Sequence, residues 1–210
     1  MSTSNAALFP MFVKLGGRRC VVVGGGPIAE SKVESLLTSG ADVTVVSPAL
    51  TEDLAERAQR GAFVWIARGF ELPDLDGAYL VIASTSDEHT NELIFREADR
   101  RGVLCNAVDQ PSRCHFYFPA VVRRGALQIA ISTAGLSPSL AQRLRKELEV
   151  EFGPEYEEWL GWLGRVRAAL MERSVDFAKR KRVLARLASR ETFDRLQVAR
   201  RRKSGQRGAA

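Results

Sequence analysis

The stretch Arg19 to Leu37, RCVVVGGGPIAESKVESLL, decides the fold. Cys20 to Val23 is a short apolar run that ends in three glycines. An amphipathic pattern follows, with Ala29, Val33, Leu36 and Leu37 at helical spacing and Gly40 closing it. Strand, tight turn and helix in this order give a glycine fingerprint its meaning. Gly24 permits the sharp turn, Gly25 continues it, and Gly26 lets a pyrophosphate approach the backbone. Ala29 stands where a third glycine is common and still lets helix pack on strand. Pro27 suits the first helical position, where no N–H is needed, and Ile28 follows it. The helix start then offers N–H groups and a positive dipole end to phosphates. The reading is dinucleotide binding; the plainer alternative is a ligand-free tight turn in an α/β domain.

Working outward, strands alternate with helices. Asp42 to Ser47, Phe63 to Ala67, Ala78 to Ala83 and Val103 to Val108 read as strands two to five. A helix capped by Thr51 runs to Gln59, and another, capped by Ser86 or Asp87, runs to about Arg101. Ala78 to Ala83 is continuously apolar, as befits a strand buried on both faces. The spacing predicts a Rossmann-type, doubly wound parallel sheet with right-handed crossovers. After Pro111 the pattern changes. Phe116 to Val122 and Leu127 to Ser132 read as two strands around Arg123-Arg124-Gly125. Ser137-Pro138 starts a helix striped by Leu140, Leu144 and Leu148, and Gly153-Pro154 stops it. Tyr156, Trp159, Leu160, Leu163 and Val166 share a helical face, with helix expected through Leu196. The expected division is a dinucleotide-binding domain over 1–112, a small α+β domain over 113–152, a helical region over 153–198 and a basic, loose tail over 199–210.

The composition is that of an ordinary globular protein, with 45% hydrophobic and 27% charged residues. No apolar run approaches the roughly 18 residues a membrane span needs, and MSTSNAALFPMF lacks the pattern of a signal peptide. Cys20, Cys105 and Cys114 form no CxxC pair and suggest reduced thiols in a cytoplasmic protein. The net charge of +6 resides in the tail: from Lys179 onward there are 12 Lys/Arg against 2 Asp/Glu. Such a tail reads as a solvated extension, and no nucleic-acid partner is assigned to it.

Two further stretches bear on chemistry. The second strand ends at Ser47-Pro48 without the acidic residue that often meets the adenine ribose; Glu52 and Asp53 come too late. No arginine stands there for a 2′-phosphate, so the residues do not choose NAD over NADP. Ser47, Pro48 and Ala49 are the candidates for the adenosine side, and Ser84 and Thr85 for the sheet's carboxyl edge. Asn106 to Pro111, NAVDQP, ends the fifth strand, which brings Asp109 to the same edge. Asp109 is either a general base in a partly desolvated cleft or a turn-capping residue before Pro111. His115 lies in the next turn. Cys114-His115 lacks the partners of a structural zinc site, and no permanent metal is expected.

The segments GGGPIAESK, ADVTVVSPAL, ASTSDEHTNELI, NAVDQPSRCHFYFPAVV and IAISTAGLSPSLAQRLRKELE, in this order, closely resemble the siroheme synthase family, over about residues 8–152. The resemblance implies NAD-dependent oxidation of precorrin-2 to sirohydrochlorin. In bifunctional members it adds Fe²⁺ insertion to give siroheme. It implies a homodimer formed through the middle domain. Asp109 matches the family's catalytic aspartate, and Pro27, Ile28, Pro48 and Ala49 match positions that touch NAD. The stand-alone form is implied, without the methyltransferase domain of longer members. Some positions depart from the family: AVDQP replaces VVDDP or VVDAP, Cys114-His115-Phe116 replaces CDF, and Ser31-Lys32 replaces Arg-Lys. His115 and Arg143 are candidates for metal insertion or substrate contact. Arg113, Arg123, Arg124 and Lys146 could also receive substrate carboxylates. The alternative reading is a non-catalytic NAD-sensing domain.

Overall fold

The computed structural model describes residues 7–207. The chain divides into two compact units between Phe118 and Pro119.

In the first unit, β1 (Arg19–Val23) leads into α1 (Pro27–Thr38), followed by β2 (Asp42–Val46), α2 (Glu52–Gln59) and β3 (Val64–Ile66). Then come β4 (Leu80–Ala83), α3 (Glu88–Arg101) and β5 (Leu104–Ala107). The five strands form one parallel sheet in the order β3-β2-β1-β4-β5. The chain reverses its direction of travel between β1 and β4, the position where open α/β sheets bind ligands beyond their carboxyl ends. β1 and β4 are buried along almost their whole length because both sheet faces are covered. One face packs Cys20, Val22 and Ile82 against Val33 and Leu36 of α1. The other packs Val21, Val23 and Val81 against Ile94 and Ala98 of α3. Alternation along β1 thus supplies both faces of the core. Burial also keeps two thiols protonated. It raises the Cys20 pKa to about 11, with Asp42 adding to it, and the Cys105 pKa to about 12, with Cys114 adding to it.

Helix ends follow local chemistry. Thr51 and Asp87 accept from first-turn N–H groups of α2 and α3. Gly102, at φ 68°, closes α3 in the left-handed conformation. Arg68 grips the buried Asp74 with two bonds of 2.8 Å. Burial raises the Asp74 carboxyl pKa, but that fork and the Glu71 N–H outweigh it and hold the group below its usual range.

The second unit holds β6 (Ala120–Arg124), β7 (Leu127–Ile131), α4 (Pro138–Glu151), α5 (Glu155–Glu172), α6 (Phe177–Leu187) and α7 (Arg190–Arg207). β6 and β7 form an antiparallel pair whose register runs from Ala120↔Ile131 to Arg124↔Leu127. One correction to the sequence reading arises here. Phe116 to Pro119 is not strand; β6 starts after Pro119 and takes in Arg123 and Arg124. Proline cannot donate to a ladder, and a two-residue Gly125-Ala126 turn, with Gly125 at φ 55°, closes the hairpin tightly. Ser137 caps α4 with Pro138 behind it, as the sequence indicated. Arg124 donates to the carbonyls of Glu149 and Phe152 at the end of α4. Tyr156 and Trp159 of α5 meet Phe193 of α7 at ring distances of 4.5 and 4.7 Å. The last helix runs past the expected Leu196 to Arg207; its Arg-, Lys- and Gln-rich end favours helix but carries no apolar stripe to announce it. Of the tail expected over 199–210, residues 208–210 lie outside the described residues, as do residues 1–6.

Candidate functional site

The glycine loop between β1 and α1 has three differently used positions. Gly24 has φ 119°, and a Cβ there would come within 2.7 Å of the Ser84 carbonyl and hydroxyl oxygens. A Cβ on Gly25 would sit 2.1 Å from the Ala49 carbonyl oxygen and 2.8 Å from Ser47 Oγ. On Gly26 it would meet nothing within 4 Å. The first two glycines are therefore demanded by packing against the neighbouring strand ends. The third borders free space. Whereas side chains cap α2, α3 and α4, no side chain caps the start of α1. The donors of its first turn remain for an anion. Pro27 is the first helical residue and Ile28 is 46% exposed beside it. These features fit a dinucleotide pyrophosphate.

The neighbouring edge loops are tied to this one. Gly24 N–H donates to Val46 O at 2.9 Å, and Thr51 N–H donates to Gly25 O at 2.9 Å. Ser47 is buried, and its hydroxyl donates to Ala49 O at 2.7 Å. The Trp65 indole donates to Ser47 O at 2.9 Å. Ser47 thus shapes the loop with its hydroxyl, while Pro48 and Ala49 stand exposed. Beyond β4, Ser84 N–H and Oγ both donate to Val23 O. The Thr85 hydroxyl is engaged by Asp87 and by the buried Asn91. The candidates Gly24 to Ile28, Ser47 to Ala49 and Ser84-Thr85 all lie along one edge.

Asp109 follows β5 at that edge, exposed, with φ 60°. Left-handed backbone is rare outside glycine, and Asp and Asn tolerate it best. The segment after it is held from behind. Asn106, a polar residue buried in an apolar strand, donates to Phe116 O at 2.8 Å and to Cys114 Sγ at 3.5 Å. The Cys114 thiol is close to Ala107 O and Gln110 O. His115 lies further back along β5. Its N–H donates to Cys105 O at 2.8 Å, and its Nδ1 accepts from Cys105 N–H at 3.1 Å. Its Nε2 faces Asp99 Oδ1 at 3.3 Å, and its ring packs on Phe95. Both ring nitrogens have protein partners. Arg113 pairs with Glu92, and Arg143 pairs with Glu147 one turn on.

Sequence reading missed two participants. Asn106 is visible only as the single polar residue in VLCNAV, where burial makes a buried amide seek partners. Lys32 is noted there only as a departure in motif. It is half-buried, and its ammonium lies 4.0 Å from the Phe118 ring centroid.

The family model described as putative NAD(P)-binding matches residues 11–120. The chain belongs to the putative NAD(P)-binding family. The NAD cofactor expected from the sequence agrees with that description. A second model, described as sirohaem biosynthesis protein central, matches residues 124–151. A siroheme synthase of Thioalkalivibrio sulfidiphilus is 41% identical over 179 residues, covering 85% of this chain and 37% of that protein. Siroheme synthase 1 of Aeromonas salmonicida is 37% identical over 180 residues, covering 86% of this chain and 38% of that protein. The chain therefore spans under two fifths of these curated relatives. A solved structure titled SirC, precorrin-2 dehydrogenase, is 26% identical with a TM-score of 0.79, covering 95% of this chain and 98% of that one. The resemblance to siroheme synthases thus extends through both units, and the Rossmann-type fold followed by a small antiparallel sheet and helices is the architecture of that structure as well. Among the described residues no helix is long and apolar enough to cross a membrane.

Proposed function

We propose that the chain catalyses the NAD-dependent dehydrogenation of precorrin-2 to sirohydrochlorin in siroheme biosynthesis. The observation that carries this reading is the meeting, at one sheet edge, of an open, uncapped glycine-loop helix with an exposed carboxylate. The likeness to SirC supports it. NAD, when bound, supplies the hydride acceptor. Gly24 to Ile28 would hold its pyrophosphate, the Ser47 to Ala49 loop its adenosine side, and Ser84 and Thr85 the adjoining edge. The oxidation releases a hydride and a proton, and Asp109 receives the proton. Bonds from Cys105 and Asn106 anchor His115 and Phe116, the far side of the turn that carries Asp109. His115, with both ring nitrogens engaged, serves this anchoring.

The non-catalytic alternative accounts for the glycine loop and leaves Asp109 without a role. Fe²⁺ insertion as a second activity, with Asp109 taking pyrrole protons, and substrate contact by Arg143 remain part of the proposal, as does a cytoplasmic location. So does the division at 1–112, 113–152, 153–198 and 199–210. A homodimer is proposed through the middle region. A two-stranded sheet is marginal by itself, and Leu136, Leu140 and Val150 beside it are exposed. Pairing about a two-fold axis would cover them.

The test has two stages. Precorrin-2 and NAD are supplied, and NADH and sirohydrochlorin are followed by absorbance. Fe²⁺ or Co²⁺ is then added and the insertion rate compared with the uncatalysed one. No NADH formation by folded protein overturns the dehydrogenase reading. A monomer by light scattering at micromolar concentration overturns the dimer.

A further inference from the structure

Lys32 stands in the second turn of α1, on the same stripe of the helix as Ile28 and about 6 Å further along its axis. The segment that follows Asp109 reaches the same place. Phe116 packs on the core cluster that holds Val33 and Leu36 of α1, and Phe118 meets Phe116 edge-on at 5.5 Å. There the half-buried Lys32 ammonium lies 4.0 Å from the Phe118 ring centroid. The half-buried arginines of the first unit are matched differently. Arg57 pairs with Asp53, Arg68 with Asp74, Arg101 with Glu97 and Arg113 with Glu92, while Arg19 donates to Asp76 O. Among the described residues Lys32 has no ion pair and no hydrogen bond, only the ring. Its three N–H donors are therefore left without an oxygen to accept them. Half-burial strips water from the charge and lowers the Lys32 pKa; the Asp109 carboxylate, which forms no ion pair with it, acts the other way. A methionine would fill the same space without a charge to desolvate, so packing alone does not call for an ammonium here.

We infer that Lys32 is a substrate-binding residue: its ammonium, backed by the Phe118 ring, receives a carboxylate of precorrin-2. This deepens the proposed dehydrogenation and rests on it. Precorrin-2 bears several carboxylates around a macrocycle, and a cation held where water is partly excluded binds such a group best. The other anion of the reaction, the NAD pyrophosphate, is assigned to Gly26 and the free donors at the helix start; Lys32 lies more than a turn behind them. A carboxylate on the open side of the ammonium supplies the counter-charge that this half-buried group lacks, while the ring face attracts it from the other side. The interaction is one of charge with carboxylate and ring, so arginine can reproduce part of it.

The experiment uses the full chain as wild type, Lys32→Met, Lys32→Gln and Lys32→Arg. It reads kcat and KM for precorrin-2 oxidation, the sirohydrochlorin dissociation constant by anaerobic absorbance titration, the NAD dissociation constant by calorimetry, and Tm. Lys32→Met and Lys32→Gln should raise KM and the sirohydrochlorin dissociation constant together by about 10- to 100-fold, the loss of one charge-assisted hydrogen bond. Their kcat should fall far less, because the contact holds substrate and transition state alike. NAD affinity and Tm should stay near wild type, and Lys32→Arg should recover much of the lost affinity. Unchanged KM and sirohydrochlorin affinity in both uncharged variants, no recovery in Lys32→Arg, or losses that merely follow a fall in Tm overturn the inference. Weakened NAD binding with sirohydrochlorin affinity intact also overturns it, by moving Lys32 to the cofactor phosphates. A wild type that oxidises no precorrin-2 overturns the dehydrogenase reading instead, and the sirohydrochlorin titration still decides the role of Lys32.

Discussion

Two loops at the sheet's carboxyl edge are built in opposite ways. The glycine loop is shaped by what it lacks. Gly24 and Gly25 leave no room for a Cβ against Ser84 and Ala49, and Gly26 leaves its space open. Residues 109–118 are shaped by side chains: the amide of Asn106 in β5 and their own Cys114 thiol and His115 imidazole hold them from behind. The first loop recognises by backbone, and any ligand it takes must suit N–H groups and a helix dipole. The second, on the proposed function, presents a side chain, and such a site needs supporting bonds to aim it. On the proposed function, binding and chemistry are divided between a bare segment and a braced one.

The sharpest test of this division is Asp109→Asn. Asparagine also tolerates the left-handed backbone at this position, so the loop should stay folded. Turnover of precorrin-2 is expected to fall by roughly 10² to 10⁴, the span of a general base, with NAD binding little changed by calorimetry. Loss of NAD affinity together with turnover would break the comparison, since the second loop would then be part of the cofactor site.

Gly26→Asp addresses the opposite side. It places a side chain and a negative charge in the open space at the start of α1. NAD affinity should drop well over tenfold, that is by more than about 1.4 kcal/mol, in a protein that still melts normally. Unchanged affinity would remove the pyrophosphate from this loop.

Within the glycine loop itself, Gly25→Ala and Gly26→Ala should separate. The alanine Cβ at Gly25 collides with the Ala49 backbone, and a stability loss of about 1–3 kcal/mol is expected for such overpacking. Gly26→Ala meets nothing and adopts an ordinary φ of −88°, so its denaturation midpoint should stay near wild type. Equal effects would mean that the loop is looser than its packing indicates.

Asn106→Ala is expected to show a modest effect, about 1 kcal/mol for a lost side-chain hydrogen bond. It should reduce turnover more than NAD affinity, because the bond to Phe116 O supports the second loop. If NAD affinity falls first, the bracing serves the cofactor and not Asp109.

The same contrast explains what the sequence made legible. The glycine loop announces itself because its constraints are local: a strand, three small residues and a helix follow one another in the chain. The parallel sheet was equally readable, since alternation of apolar strands with helices is a one-dimensional signal. So were the caps Thr51, Asp87 and Ser137, each adjacent to the helix it starts. The start of β6 was misplaced because Phe116 to Val122 is uniformly apolar, and only Pro119 breaks it. The helix to Arg207 was shortened because charged helix formers carry no periodicity. Asp109 is at the right edge by strand position alone, but its assignment as a base came from the resemblance. His115 and Lys32 could not be read from spacing, because their partners Asp99, Cys105 and Phe118 are brought to them by tertiary structure.

The bond from the Trp65 indole to the Ser47 carbonyl has a practical consequence. Of the three tryptophans, two, Trp159 and Trp162, belong to the second unit, so Trp65 is the sole indole fluorophore of the first. It is 40% exposed and fastened to the very loop assigned to the adenosine side. A ligand that settles on residues 47–49 alters the polarity around that ring, and a reduced nicotinamide within energy-transfer range quenches it. If the cofactor sits there as proposed, Trp65 becomes an optical gauge of its occupancy, and replacing Trp159 and Trp162 with phenylalanine would leave that gauge as the only tryptophan emission.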